Sequence, residues 1–132
     1  MALTAGDVVV MDMEAGLEHL GRGTAKGFDA LICVVEPGLQ SIETASRIDR
    51  LAREIGIRDV LFVGNKVMTD QDGEFIRKAL GDIGLNLICL IPFDRNILRA
   101  DVLRVAPIDL SPDSPAIAAI KELEEVLKER YG

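Results

Sequence analysis

The residues of this sequence that could do chemistry fall in three places. The first lies at the end of the apolar run Val8-Val9-Val10-Met11, where Asp12 is followed by Glu14, Gly16, Glu18, His19, Gly21, Arg22, Gly23 and Thr24. An aspartate at a strand end can hold a magnesium ion, directly or through water, and a glycine just beyond it lets a backbone N–H approach a terminal phosphate. Asp12 and Gly16 stand in those two positions. The second is Asn65-Lys66, directly after Val60-Leu61-Phe62-Val63-Gly64. An amide side chain offers both a donor and an acceptor, so Asn65 could read the edge of an adenine. The third is Pro92-Phe93-Asp94-Arg95, which could lay backbone groups and a ring beside the same base.

Each place also has a plain structural alternative: acids solvate a strand end, glycines shape a turn, and Pro-Phe-Asp-Arg closes a strand. Two other patterns in the first loop fail on inspection. Gly16 to Thr24 copies the glycine spacing of a phosphate loop, but Arg22 replaces the lysine, Thr24 comes one place late, and Glu14 and Glu18 would repel a phosphate. Gly21, Gly23 and Gly27, with Glu36 beyond them, copy a dinucleotide fingerprint, yet Gly21 lies well past the strand-to-helix turn where the first glycine belongs. His19 is the only histidine, so a His/Cys metal site has no partner nearby. Cys33 and Cys89 sit inside Leu31-Ile32-Cys33-Val34-Val35 and Leu87-Ile88-Cys89-Leu90-Ile91 and read as buried free thiols.

Elements that could position these groups follow from the apolar spacing. Runs at about 7–13, 29–35, 58–64 and 85–91 are apolar at successive positions, as in parallel strands covered on both faces. From Ser41 to Ile55, residues Ile42, Ala45, Ile48, Ala52 and Ile55 share one helical side, with Glu43/Arg47 and Asp49/Arg53 expected on the other. The Pro37-Gly38 turn or Ser41 opens this helix and Gly56 closes it. A second helix is predicted over about 71–83, with Phe75, Ile76, Ala79, Leu80 and Ile83 inward and Gly84 as its stop. A third over about 114–131 uses Ile117, Ile120, Leu123 and Leu127. This alternation predicts a doubly wound α/β fold with a mainly parallel sheet, whose ligands bind at the C-terminal strand ends.

Composition narrows the partners. The 132 residues suit one domain, 1–132, with 48% hydrophobic residues to form a core. A formal charge of −7, from 22 acids against 15 bases, argues against nucleic acid or an anionic membrane surface as a main partner. With no signal peptide and no apolar stretch of spanning length in the sequence, the expected location is cytoplasmic.

Taken together, Val10 to Thr24, Val35-Glu36-Pro37-Gly38 with Ser41 to Ala45, Gly64-Asn65-Lys66-Val67, Ile91-Pro92-Phe93-Asp94, Ala100 and Ser114-Pro115-Ala116 resemble the deviant-Walker ATPases. That family includes nitrogenase iron protein and the MinD/ParA partitioning ATPases, and the likeness is greatest to CooC-type nickel-insertion ATPases. The resemblance implies a P-loop NTPase-like three-layer α/β/α fold lacking the N-terminal phosphate-loop unit, so that the chain is a C-terminal portion. It implies ATP or ADP with magnesium as ligands. Asp12 would hold the magnesium through water, Gly16 would approach the terminal phosphate, Asn65 would bond adenine, and Pro92, Phe93 and Asp94 would line the base and ribose pocket. A homodimer, and carbon monoxide dehydrogenase as client, are likewise implied. The lysine-bearing phosphate loop and the Cys-x-Cys pair of the nickel-handling members are absent from these residues, so neither autonomous ATP hydrolysis nor nickel binding is expected of this chain. The residues alone also leave open a non-catalytic NTPase-like interaction module and, third, a small dinucleotide-binding domain.

Overall fold

The computed structural model describes residues 8–13, 17, 20, 21, 23 and 26–132. In chain order these form β1 (Leu31–Val35), α1 (Leu39–Glu54), β2 (Val60–Val67), α2 (Asp70–Leu80), a 3-10 turn (Gly81–Asn86), β3 (Leu87–Pro92), α3 (Arg95–Leu103), the short α4 (Pro107–Leu110) and α5 (Pro115–Tyr131). The three strands make one parallel sheet in the order β1-β2-β3.

Side-chain alternation along each strand separates the two faces of this sheet. Cys33 and Val35 of β1 and Val60 and Phe62 of β2 join Ile42, Ala45 and Ala52 of α1 and Ile76 and Leu80 of α2 in one buried cluster. Phe62 and Ile76 are completely buried, and each such side chain contributes about 1.5–3 kcal/mol. Leu61 and Val63 point the other way and are also buried, on the face where α5 packs against β3 through Ala116, Ile117 and Ala119.

Helix boundaries have local causes. Gly56, at φ 101°, takes the left-handed conformation that ends α1, and its N–H bonds Arg53 O at 3.1 Å. Thr69 opens α2 with a capping box: its Oγ1 accepts from Asp72 N, and Asp72 Oδ2 accepts from Thr69 N, both at 3.2 Å. That helix stops at Gly81, three residues before the expected Gly84, because Gly81 adopts φ 65° and the chain tightens into the 3-10 turn. α2 can approach the sheet closely because Gly73 has no side chain: a Cβ there would lie 2.8 Å from Leu90 Cδ1.

Several expectations are corrected. Residues 8–13 form no strand, and Val8, Val9, Val10 and Met11 are exposed. A strand exists only where a neighbour pairs its backbone, and among the described residues β1 has β2 as its sole partner. Asp49 is not on the solvent side of α1 but buried, with both oxygens accepting from Arg53 Nε at 3.1 and 3.2 Å. Phe75, Ala79 and Ile120 are exposed rather than inward, because they lie on the flanks of their helices, beyond the stripe that meets the sheet. After Pro92 the chain turns through Phe93 and Asp94 directly into α3, which Asp94 caps.

Candidate functional site

The C-terminal ends of all three strands lie on one edge of the sheet, as parallel pairing requires, and they carry Glu36, Asn65-Lys66 and Pro92-Phe93-Asp94. The β2 and β3 ends are stitched together. Val67 is in register with Pro92, and the Phe93 N–H bonds Val67 O at 3.0 Å. Between Gly64, opposite Leu90, and Val67 the register slips, so Asn65 and Lys66 form a bulge. Lys66 sits at φ 56°, a left-handed conformation that costs an L-residue on the order of 1 kcal/mol. A bulge of this kind re-aims side chains at the end of a strand, and here it contains the half-buried Asn65, two residues before the Val67 whose carbonyl accepts the Phe93 N–H.

A close packing contact holds the bulge in place. A Cβ on Gly64 would lie 2.6 Å from Leu90 Cδ2 and 3.1 Å from Ile76 Cδ1, so glycine lets these two side chains close over β2 without shifting. Lys66 Nζ then reaches Glu36 Oε1 at 2.9 Å, bridging the ends of β2 and β1. Both partners are about half exposed, so the pair orients two loops more than it stabilises the fold. Beside it lies an open hollow of about 520 Å³, lined by residues 36–41 and Thr44, where Ser41 Oγ accepts the Glu36 N–H at 2.9 Å.

Asp94 has a different part in the site. Its Oδ1 accepts the Asn96 N–H at 2.9 Å, capping α3, and its Oδ2 accepts the Ala116 N–H at 3.1 Å, at the start of α5. These two N–H groups, that of Ala116 foremost, hold the carboxyl below its usual 3.8 against the opposing effect of burial. With both oxygens committed to helix N-termini, Asp94 acts as a positioning group that fixes the turn leaving β3. Ser114 is also buried; its Oγ meets no partner at hydrogen-bond geometry among the described residues, yet it lies close enough to the Asp94 carboxylate to help hold its pKa down.

Among the residues expected to act, the fold thus brings together Asn65, Pro92, Phe93 and Asp94. Asp12 is exposed and outside the sheet, while Gly16 lies outside the described residues, as do Glu14, Glu18, His19, Arg22 and Thr24. Cys33 and Cys89 are free thiols, Cys33 buried and Cys89 half-buried. Burial, and then the Asp49 carboxylate, push the Cys33 thiol up to about 11. No group of three or more His, Cys, Asp or Glu side chains among the described residues could hold a metal ion. Nor is any described helix long and apolar enough to cross a membrane. The Glu36–Lys66 bridge and the left-handed Lys66 were missed by sequence reasoning, since neither leaves a compositional mark. The Asp94 cap had a readable signal in an acid preceding a stretch of helix formers.

No protein-family model matches the chain. It is 42% identical over 106 residues to the carbon monoxide dehydrogenase accessory protein CooC of Rhodospirillum rubrum, covering 80% of this chain and 40% of that protein. It is 35% identical over 127 residues to an ATP-binding protein of Methanocaldococcus jannaschii, covering 96% of this chain and 47% of the relative. The chain therefore spans less than half the length of either relative. Among solved structures, the MinD cell division protein of Aquifex aeolicus superposes with a TM-score of 0.70 at 21% identity, covering 86% of this chain and 50% of that one. A ParA family ATPase from Chlorobium tepidum gives 0.63 at 23% identity, covering 79% and 43%. These two likenesses place the fold among P-loop NTPase-like α/β structures.

Proposed function

This chain is a part-length member of the deviant-Walker P-loop ATPase family, and on that premise we propose that it supplies the base-binding portion of a CooC-like ATPase that matures a nickel metallocentre. The observation that carries this reading is the placing of Asn65 and the Pro92-Phe93 turn on the adjoining C-terminal ends of β2 and β3, held together by the Val67–Phe93 backbone bond, in a chain 42% identical to CooC over 106 residues.

The donor set suits one end of a nucleotide. Asn65 can accept and donate at the base edge, Pro92 and Phe93 offer an apolar surface and backbone groups beside it, and Asp94 holds that turn still. The phosphate end is not matched by these residues. A phosphate cradle needs several backbone N–H donors and a free lysine, no Gly-x-x-x-x-Gly-Lys-Ser/Thr motif occurs in the sequence, and Lys66 is engaged by Glu36. When bound, magnesium would neutralise phosphate charge, and Asp12 is the residue of this chain proposed to hold it through water, with Gly16 near the terminal phosphate.

In this reading the chain is the C-terminal portion of a longer protein, binds base and ribose weakly by itself, and hydrolyses no ATP without the phosphate loop. Dimerisation and a carbon monoxide dehydrogenase client belong to the whole protein. Calorimetric titration with magnesium-ADP and an ATPase assay test the proposal. Weak binding lost in Asn65→Ala, without turnover, is expected; magnesium-dependent turnover abolished by Asp12→Ala would overturn it.

A further inference from the structure

The pair of helices α3 and α4 keeps a defined shape with almost no core of its own. Ala100 is the one buried residue of α3, and α4 has none. Leu98, Val102, Leu103, Val105 and Ile108 are instead 51%, 79%, 51%, 44% and 52% exposed. Leu98 and Val102 lie one turn apart on α3, and Val105 and Ile108 continue into the turn and the α4 packed beside it. A soluble protein rarely leaves a contiguous apolar patch larger than roughly a few hundred Å² unless something docks there.

Backbone chemistry at the helix ends, rather than burial, holds this shape. Asp94 caps the first turn of α3 through the Asn96 N–H. At the far end Arg104 takes φ 57°, and the N–H groups of Arg104 and Val105 close on Asp101 O at 3.1 Å and Ala100 O at 3.0 Å. That is a Schellman pattern with an arginine in the left-handed place that glycine occupies more easily. Pro107 then starts α4 with its φ already suited to a helix. A surface shaped in advance loses little conformational entropy when a partner arrives.

Charge says what kind of partner fits. Arg95, Leu98, Arg99 and Val102 follow the i, i+3, i+4, i+7 spacing of one helical side, so two arginines accompany the aliphatic pair. Arg95, Arg99 and Arg104 are exposed, and none of them has an ion-pair partner among the described residues. In a chain with 22 acids against 15 bases, α3 and the residue that ends it carry these three bases and one acid, Asp101. A second copy would set two patches of the same positive sign against each other, and the aliphatic centre suits a protein rather than a phosphate backbone. We propose that α3 and α4 form a docking surface for a partner protein that presents an amphipathic helix, aliphatic along one stripe and acidic at its margins. Docking there needs no nucleotide, so it stands apart from the ATPase reading.

The test titrates the 132-residue chain into labelled synthetic helical peptides of about 18 residues, followed by fluorescence anisotropy. One peptide has leucine along one stripe and glutamate on its margins, a second has lysine in place of glutamate, and a third scrambles the first. The glutamate peptide should bind about tenfold more tightly than the other two. Val102→Asp should weaken it by about tenfold with little change in melting temperature, because Val102 is already 79% exposed, and Arg99→Glu should turn the preference toward the lysine peptide. Leu85→Asp, at an aliphatic residue 89% exposed in the 3-10 turn, should bind as the parent does. Equal binding of the three peptides, or equal losses from Val102→Asp and Leu85→Asp, overturns the proposal. So does a dimer in sedimentation that Val102→Asp dissociates, or tighter binding of a labelled DNA duplex that Arg99→Glu abolishes, since these assign the patch to a second copy or to nucleic acid. A chimera in which the chain replaces the matching stretch of the Rhodospirillum rubrum relative should bind the glutamate peptide equally well. Loss of binding there assigns the patch to the rest of a longer protein and also overturns the proposal.

Discussion

Asp94 accepts a hydrogen bond from the Ala116 backbone N–H at 3.1 Å across twenty-two residues of sequence, and with its other oxygen it caps α3. One carboxylate thus fixes the start of two helices and the turn that leaves β3. Asp94→Ala removes both caps and leaves the N–H of Ala116 buried without a partner, an expected cost of about 2–3 kcal/mol in urea unfolding. Asp94→Asn keeps one acceptor and should cost less than the alanine variant.

The same residue sets part of the acid limit. Its folded pKa lies below the usual 3.8, so its contribution to stability is present above that value and is lost as pH falls through the folded pKa. Acid titration followed by circular dichroism should show a shallower loss of stability below pH 3.8 in Asp94→Asn than in the parent chain.

Cys33 acts at the other end of the scale. Its thiol, normally at 9.0, is raised to about 11 by burial and by Asp49, so stability should fall as pH rises from 9.0 through about 11. Cys89 is also raised, by burial and then by Glu122, so the measurement belongs in a Cys89→Ala background. There, Cys33 should resist a thiol reagent at pH 8 until the protein unfolds, and Cys33→Ala should remove part of the alkaline loss at a cost of about 1 kcal/mol, the Tyr131 hydroxyl, raised by burial and by Asp59, contributing to the remainder.

Gly64 tests the packing that holds the bulge. Gly64→Ala places a methyl group 2.6 Å from Leu90 Cδ2 and should destabilise by about 1–3 kcal/mol. Combining it with Leu90→Ala should restore part of the loss, giving a coupling energy of about 1 kcal/mol in a double-mutant cycle. Additive effects would mean that Leu90 is not the obstacle.

At Lys66 backbone geometry outweighs charge. With φ at 56°, Lys66→Gly should be more stable than Lys66→Ala by about 1 kcal/mol, while Glu36→Gln, which removes only an exposed ion pair, should change stability by less than about 0.5 kcal/mol.

Most elements were legible in the sequence because their signals are local. Ile42, Ala45 and Ala52 mark the buried side of α1, Gly56 marks its end, and the runs through Cys33, Phe62 and Cys89 mark the strands. Reading failed where a residue's environment depends on a distant element. Asp49 looks like half of a surface ion pair, yet it is buried beside Cys33. Val8 to Met11 looks like a core strand, yet these residues lie in solvent. A strand is completed by backbone partners, which no periodicity within the strand specifies.

The sequence by itself determined a parallel α/β fold, the positions of Asn65 and Pro92-Phe93-Asp94 at strand ends, and the resemblance to deviant-Walker ATPases. Only the tertiary structure decided that Asp94 is spent on capping two helices, that Lys66 adopts a left-handed conformation and bridges to Glu36, and that β1 is left with Ile32 and Val34 bare. The physical reason is that helix caps, strand registers and edges are satisfied by backbone groups far away in the chain. Apolar spacing says which way a side chain faces, and the packed elements decide what it meets there.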